Sequence, residues 1–169
     1  QTTKDNTFNI DENHYGFIAK HDEDPRRAIA ESMIKSFPKT GTIIAYNQSF
    51  EKNCIKSLAE YCPDLAEDLL SLNKRFIDLI EPFRSRGYYD KEFRGSFSIK
   101  KVLPALCPND SELDYKQLDI SNGGMASSAF KEMRTQSIEQ INLTRDKLSK
   151  YCRLDTYAMY AIYQKLLQI

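Results

Sequence analysis

An α/β fold is the class this sequence predicts, and three observations point there. Two short apolar runs, Thr42-Ile-Ile-Ala-Tyr46 and Phe76-Ile-Asp-Leu-Ile80, have the length and β-branched character of buried strands rather than helices. Stretches with apolar residues at helical spacing precede, separate and follow them, and such alternation is the mark of α/β architecture. A chain of 169 residues, 41% of them hydrophobic, can bury one sizeable core, so residues 1–169 are read as a single domain.

Taken in order, the first ten residues are polar, with Thr7 to Ile10 read as the end of a strand or hairpin. Residues 14–20, carrying Tyr15, Phe17 and Ile18, are read as a short strand. Asp24-Pro25 then starts a helix: an aspartate can cap free N–H groups, and proline suits the first helical position. Ile29, Met33, Ile34 and Phe37 follow at helical spacing until Pro38 and Gly41 stop it. After the first apolar run, Asn47-Gln48-Ser49 turns the chain into a helix through Ile55, Leu58 and Ala59, and Pro63 restarts one through Leu65, Leu69 and Leu72. Residues 84–101 are irregular, with Gly87 and Gly95, and Ser98 opens a short helix through Val102 and Leu106. Gly123-Gly124 precedes another helix with Met125, Ala126, Ala129, Phe130 and Met133. A last, long helix presents Leu148, Tyr151, Cys152, Asp155, Met159, Ile162 and Leu166 on one broad face.

Charge and cysteine usage narrow the function classes. The 24 basic and 24 acidic residues cancel, which argues against a protein that coats DNA non-specifically and leaves room for a local basic surface. The four cysteines, Cys54, Cys62, Cys107 and Cys152, contain no C-x-x-C pair, so a structural zinc is not expected. No apolar run approaches the roughly 20 residues needed to cross a bilayer. A membrane partner is therefore not expected, and a reducing cytoplasm is the natural setting.

Two segments carry candidate chemistry. Tyr151 and Asp155 lie four apart, hence on one face of the last helix. A carboxylate on an apolar helix face is seldom buried unless it is paired or holds a metal. The plain alternative is an aspartate at the border of the stripe, bonded to a backbone group. The second segment is Tyr46-Asn-Gln-Ser-Phe-Glu51, where an apolar strand runs into a helix with Asn47 at the junction and Glu51 in the first turn. Strand ends in α/β sheets are good places for ligand chemistry, while Asn47 as a cap and Glu51 on the helix dipole is an equally simple account.

In combination, Asn47-Gln-Ser-Phe50-Glu51 and Tyr151-x-x-x-Asp155 resemble the second and third motifs of the tyrosine subclass of DEDD 3′–5′ exonucleases. Glu51 stands where that family usually has aspartate. At closer range, Tyr46-Asn47-x-x-Phe50-Glu51-Lys52, Gly95-Ser96-x-Ser98-Ile99-Lys100-x-Val102-Leu103-Pro104 and Tyr151-Cys152-x-x-Asp155-Thr156 resemble an uncharacterised bacterial domain family often found downstream of a RecB-like nuclease module. The resemblance covers roughly residues 14–168 and implies a ribonuclease H-like mixed sheet flanked by helices.

What the resemblance implies chemically is phosphodiester hydrolysis assisted by two magnesium or manganese ions about 4 Å apart. Glu51 and Asp155 would be metal ligands and, with Tyr151, the catalytic residues; Tyr151 would orient the attacking water. Asn47 would shape the turn and contact substrate. The family's first motif, a strand with Asp-x-Glu, has no counterpart before Asn47, since Asp11-Glu12 lacks the spacing and Asp22-Glu23-Asp24 precedes a helix. The chain is accordingly read as lacking the first strand, which would lie upstream, and as inactive by itself. The sheet edge so exposed would be filled by residues 1–20 or covered by a second copy in a homodimer.

The partner expected is DNA or RNA, engaged at a single-stranded 3′ end. Residues 84–101 hold six basic residues (Arg84, Arg86, Lys91, Arg94, Lys100, Lys101) against Asp90 and Glu92, interleaved with Tyr88, Tyr89, Phe93 and Phe97. Cations neutralise phosphates and aromatics stack on unpaired bases, so Arg94, Lys100 and Lys101 are candidate substrate contacts. The same pattern is met by aromatics that anchor a core beneath a solvated charged face. Two functions follow: a metal-dependent 3′–5′ exonuclease domain, or a catalytically inactive nucleic-acid-binding or scaffolding module.

Overall fold

The computed structural model describes residues 14–108, 110 and 113–169. The strand or hairpin end read at Thr7 to Ile10, and Asp11-Glu12, lie outside these. The chain divides into two compact units, residues 24–102 and residues 14–23 with 103–169.

In the 24–102 unit, helix α1 (Pro25–Ser36) starts as its sequence demands. The Asp24 side chain accepts the Arg26 N–H, and Pro25, which has no N–H to lose, takes the first helical position. The Arg26 guanidinium also binds the Asp24 carboxylate and holds it well below the usual carboxylate range, with its other face lying 3.5 Å over the Tyr61 ring. Strand β1 (Ile43–Ala45) leads into α2 (Ser49–Tyr61), then α3 (Ala66–Asn73) and strand β2 (Phe76–Asp78). The two strands pair in parallel, Ile43 with Phe76, Ile44 with Ile77 and Ala45 with Asp78, and the helices between them are the crossover that parallel pairing requires. Ala30, Ile43, Ile55, Leu58, Ala59, Cys62, Leu69 and Leu72 form the buried core beneath. A one-turn helix α4 (Glu81–Arg84) follows, and α5 (Ile99–Leu106) opens directly after Ser98 and contains the division between the units.

The other unit is helical. Helix α6 (Gly123–Glu132) is capped by the Asn122 side chain accepting the Met125 N–H. Helix α7 (Ile138–Leu166) starts with a capping box between Ser137 and Gln140, which satisfies two otherwise unpaired N–H groups reciprocally. Ile120, Met133, Ile141 and Leu148 form its core, with Ile18, Phe130 and Tyr151 packed against it.

The mixed sheet flanked by helices is not what the chain builds. Among the described residues the only sheet is the two-stranded β1–β2 pair, and the rest of the regular structure is helical. The physical reason is local. Each apolar run contributes three residues to the sheet, the two runs satisfy each other, and no further described segment offers a ladder. The strand read at residues 14–20 is not formed either. Tyr15 and Phe17 are exposed, and the carbonyls of Ile18 and Ala19 accept the two ends of the Arg145 guanidinium, at 2.7 and 2.9 Å, in place of a neighbouring strand.

That fork is what ties residues 18–19 to α7, so Arg145→Ala is expected to cost about 2 kcal/mol, because two charge-assisted bonds to backbone are lost. Hydrogen exchange should then show faster exchange at residues 17–20 while the first turns of α7 keep their protection. Unchanged exchange there would contradict the assignment.

Candidate functional site

The junction after β1 is built around Asp78. Register places Asp78 beside Ala45, at the end of β1 where the chain enters α2. The N–H groups of the turn just ahead of α2 have no partner in strand or helix, and Asp78 supplies one. Its carboxylate accepts Asn47 N–H at 2.7 Å, Gln48 N–H at 2.9 Å and Ile80 N–H at 3.2 Å, all while buried. This clasp fixes Asn47 at a φ of 65°, a left-handed conformation that asparagine tolerates better than most residues. The Asn47 side chain is then free of capping duty, and its Oδ1 accepts Nη2 of Arg84 at 3.1 Å. Tyr46 donates its hydroxyl to the Phe97 carbonyl at 2.6 Å, and burial, then the Asp78 charge, pushes that phenol well above its ordinary range. Glu51 sits half-buried in the first turn of α2. Asp78 is the residue that reading the sequence passed over as a mere strand member; the signal was an acid inside an apolar run.

The 84–101 segment resolves into two layers. Phe83 and Phe93 are fully buried, with ring centroids 5.6 Å apart at 89°, and Tyr88, Tyr89 and Phe97 pack around Phe93 at 6.1, 5.7 and 6.5 Å. Phe93 is therefore an anchor and has no face left for a base. Tyr89 touches the anchor yet stays 54% exposed. Arg84, Arg86, Lys91, Arg94, Lys100 and Lys101 are all exposed. Arg94 takes a φ of 49° to close the turn Lys91–Phe93 and lies 3.7 Å from Glu92, an exposed pair that holds it only weakly.

In the other unit Tyr151 and Asp155 do meet. Tyr115, from the short 3-10 turn Tyr115–Gln117, donates to Asp155 Oδ1 at 2.6 Å, and Tyr151 hydrogen-bonds the same carboxylate. A methyl group added at Gly123, the first residue of α6, would lie 4.0 Å from the Tyr151 hydroxyl. Burial, then the Asp155 charge, raises the Tyr115 phenol well above the ordinary tyrosine range; burial, then its bond to Asp155, does the same for Tyr151. Both phenols therefore act as donors at neutral pH. Tyr115 was not a candidate from sequence, because its partner lies 40 positions away.

The donor set can be tested against the two-ion expectation. Among the described residues no three His, Cys, Asp or Glu side chains gather where a metal could be held. Asp155 Oδ1 accepts the Tyr115 phenol and Tyr151 bonds the same carboxylate, while Asp78 accepts three amides. The described residues of either unit do not fit a two-ion centre, and no step is derived through one.

Tyr115→Phe is expected to lower the stability of this unit by about 1.5 kcal/mol at neutral pH, the cost of one bond to a charged acceptor. A phenol that ionises later in the folded than in the unfolded chain adds stability that is complete below about pH 10 and fades as pH rises through the folded value. Urea unfolding of the wild type and Tyr115→Phe should therefore converge in strong alkali; a gap that widens with pH would refute the assignment.

Residues 1–98, more than half of the chain, match the family described as Domain of unknown function (DUF2779). The chain is also similar to the Uncharacterized protein UU173 of Ureaplasma parvum serovar 3, at 28% identity over 134 residues. That alignment takes in 70% of this chain and 19% of the relative, so the chain spans about a fifth of the length of the curated relative it matches. No solved structure matches it.

Proposed function

The chain belongs to the Domain of unknown function (DUF2779) family, and we propose that it is a module that binds single-stranded nucleic acid for a longer protein. The observation that carries this reading is the 84–101 segment, where exposed cations and the Tyr89 ring ride on a rigid anchor of buried Phe83 and Phe93. Cations that follow a backbone, beside a ring that accepts a base, are the two needs of single-strand binding. The carboxylates support the same choice: the buried Asp78 holds the β1–α2 junction and the partly buried Asp155 holds Tyr115 and Tyr151. Among the described residues no helix is long and apolar enough to cross a membrane. A nucleic-acid partner makes the cytoplasm the expected place of work.

Fluorescence anisotropy with labelled single-stranded DNA, single-stranded RNA and duplex DNA tests this. Single strands are expected to bind more tightly than the duplex, with an affinity that falls steeply with salt. No binding at low salt, or binding indifferent to salt, would overturn the proposal. A second reading is favoured by the paired Tyr151 and Asp155: magnesium- or manganese-dependent 3′–5′ cleavage by the longer protein, with further carboxylates supplied from outside residues 1–169. Its test is an exonuclease assay in which the longer protein cuts and this chain alone does not; robust cutting by the chain alone would sink it.

A further inference from the structure

We infer that Arg84 and Tyr89 form a one-nucleotide grip, phosphate on Arg84 and base on Tyr89, and that Asn47 is the positioning residue that holds Arg84 ready. The inference rests on the single-strand reading above and deepens it, because it states why an unpaired nucleotide is the ligand.

Arginine binds phosphate best when its planar fork is already oriented, since less side-chain freedom is then lost on binding. An exposed arginine normally lacks such support. Arg84 has it: Nη2 donates to Asn47 Oδ1 at 3.1 Å, while its contact with Glu81 is loose, at 3.8 Å. Asn47 can serve as a fixed acceptor because its backbone is clasped, its own N–H and that of Gln48 being bound to the buried Asp78. The side chain is thus aimed by the fold rather than by a chance surface encounter. The chain of contacts runs from a buried carboxylate, through a left-handed asparagine, to an exposed guanidinium.

Tyr89 follows Arg84 by five residues, across the turn that follows α4. Tyr88 N–H returns to the Pro82 carbonyl at 3.0 Å, and Arg86 takes a φ of 59° to make that reversal. The Tyr88 ring meets Phe83 edge-on at 6.2 Å, and Tyr89 meets Phe93 at 5.7 Å and 80°. Tyr89 therefore packs nearly at right angles to a buried ring while 54% of it stays exposed. A duplex keeps its bases inside the stack, so only a single strand offers a base to such a ring.

The test is a set of variants in the anisotropy assay with a single-stranded oligonucleotide, and with inorganic polyphosphate as a competitor that has charge and no bases. Arg84→Lys is expected to lose about tenfold in affinity, nearly as much as Arg84→Ala, because a point charge cannot replace the fork. Asn47→Gly keeps the left-handed backbone and removes the side chain, with Oδ1 and its bonds from Arg84 and the exposed Ser49 hydroxyl; it is expected to lose about fivefold, with a melting temperature near that of the wild type. In an Arg84→Ala background Asn47→Gly should cost nothing further, which a merely structural role for Asn47 would not produce. Tyr89→Ala should lose about tenfold for the oligonucleotide and leave competition by polyphosphate unchanged, with Tyr89→Phe restoring the affinity. If the chain binds single strands and weakens when Lys100 and Lys101 are replaced, but Arg84→Ala has no effect or adds fully to Asn47→Gly, the grip is refuted and the binding function stands. If the wild type binds no single strand, both fall.

Discussion

Asp78→Ala is expected to destabilise the 24–102 unit by about 3 kcal/mol, since Asp78 is a buried carboxylate that serves three backbone donors. The buried carboxylate accepts three backbone N–H groups, and two of them, from Asn47 and Gln48, belong to the turn that leads into α2. Removing the acceptor leaves the buried Ile80 N–H and the part-buried N–H groups of Asn47 and Gln48 unmatched, and an unsatisfied buried group costs about 1–3 kcal/mol. The loss falls on the β1–α2 junction, so the left-handed Asn47 would relax along with it. Asp78→Asn keeps the shape and one accepting oxygen and should cost roughly half as much. Urea unfolding monitored by far-ultraviolet circular dichroism measures both. Wild-type stability for Asp78→Ala would mean that the clasp does not hold the junction.

The second large effect is on binding. Replacing Arg84, Arg94, Lys100 and Lys101 together by glutamine removes four exposed cations without touching the buried Phe83 and Phe93 beneath. Single-strand affinity falls with salt in proportion to the phosphates neutralised, with a slope of about 0.7 per contact. Losing four contacts should reduce that slope by about 3 and weaken binding by at least about a hundredfold at low salt. The melting temperature should stay near that of the wild type, since surface charges of this kind contribute little to stability. A variant that binds as the wild type does would show that the phosphates are held elsewhere.

Most of the local structure was legible in the sequence. Asp24-Pro25 and Pro38 act through backbone chemistry that needs no distant partner and mark the ends of α1, while Gly123-Gly124, read as preceding a helix, are its first two residues. The sheet was not legible, because alternation of helix and strand does not count strands. The runs at 43–45 and 76–78 consume each other's hydrogen bonds, and the resemblance to ribonuclease H-like exonucleases suggested further strands that the described residues do not supply. Residues 14–20 look like a strand by alternation, yet Arg145, far along the chain, takes their carbonyls.

The candidate site divides in the same way. The i,i+4 spacing of Tyr151 and Asp155 correctly put them together on α7, whereas Tyr115, their third partner, comes from a distant turn and leaves no periodic trace. In the 84–101 segment the interleaved aromatics fit both a core and a stacking surface, and the rings differ in burial. Phe93 is core and Tyr89 is surface, a distinction made by packing that spacing alone cannot carry. Asn47 was expected to shape the turn and touch substrate. Asn47 stands at the turn in a left-handed conformation that Asp78 holds through its N–H, and its side chain goes to Arg84.

The central claim, a single-strand-binding surface on residues 84–101, is tested most directly by mapping amide chemical shifts while a short single-stranded oligonucleotide is titrated into the isotope-labelled chain. The account predicts that the largest changes fall on residues 84–101 and on Asn47, and that they vanish at high salt. Changes centred on Tyr151 and Asp155 instead, with residues 84–101 unmoved, would contradict it.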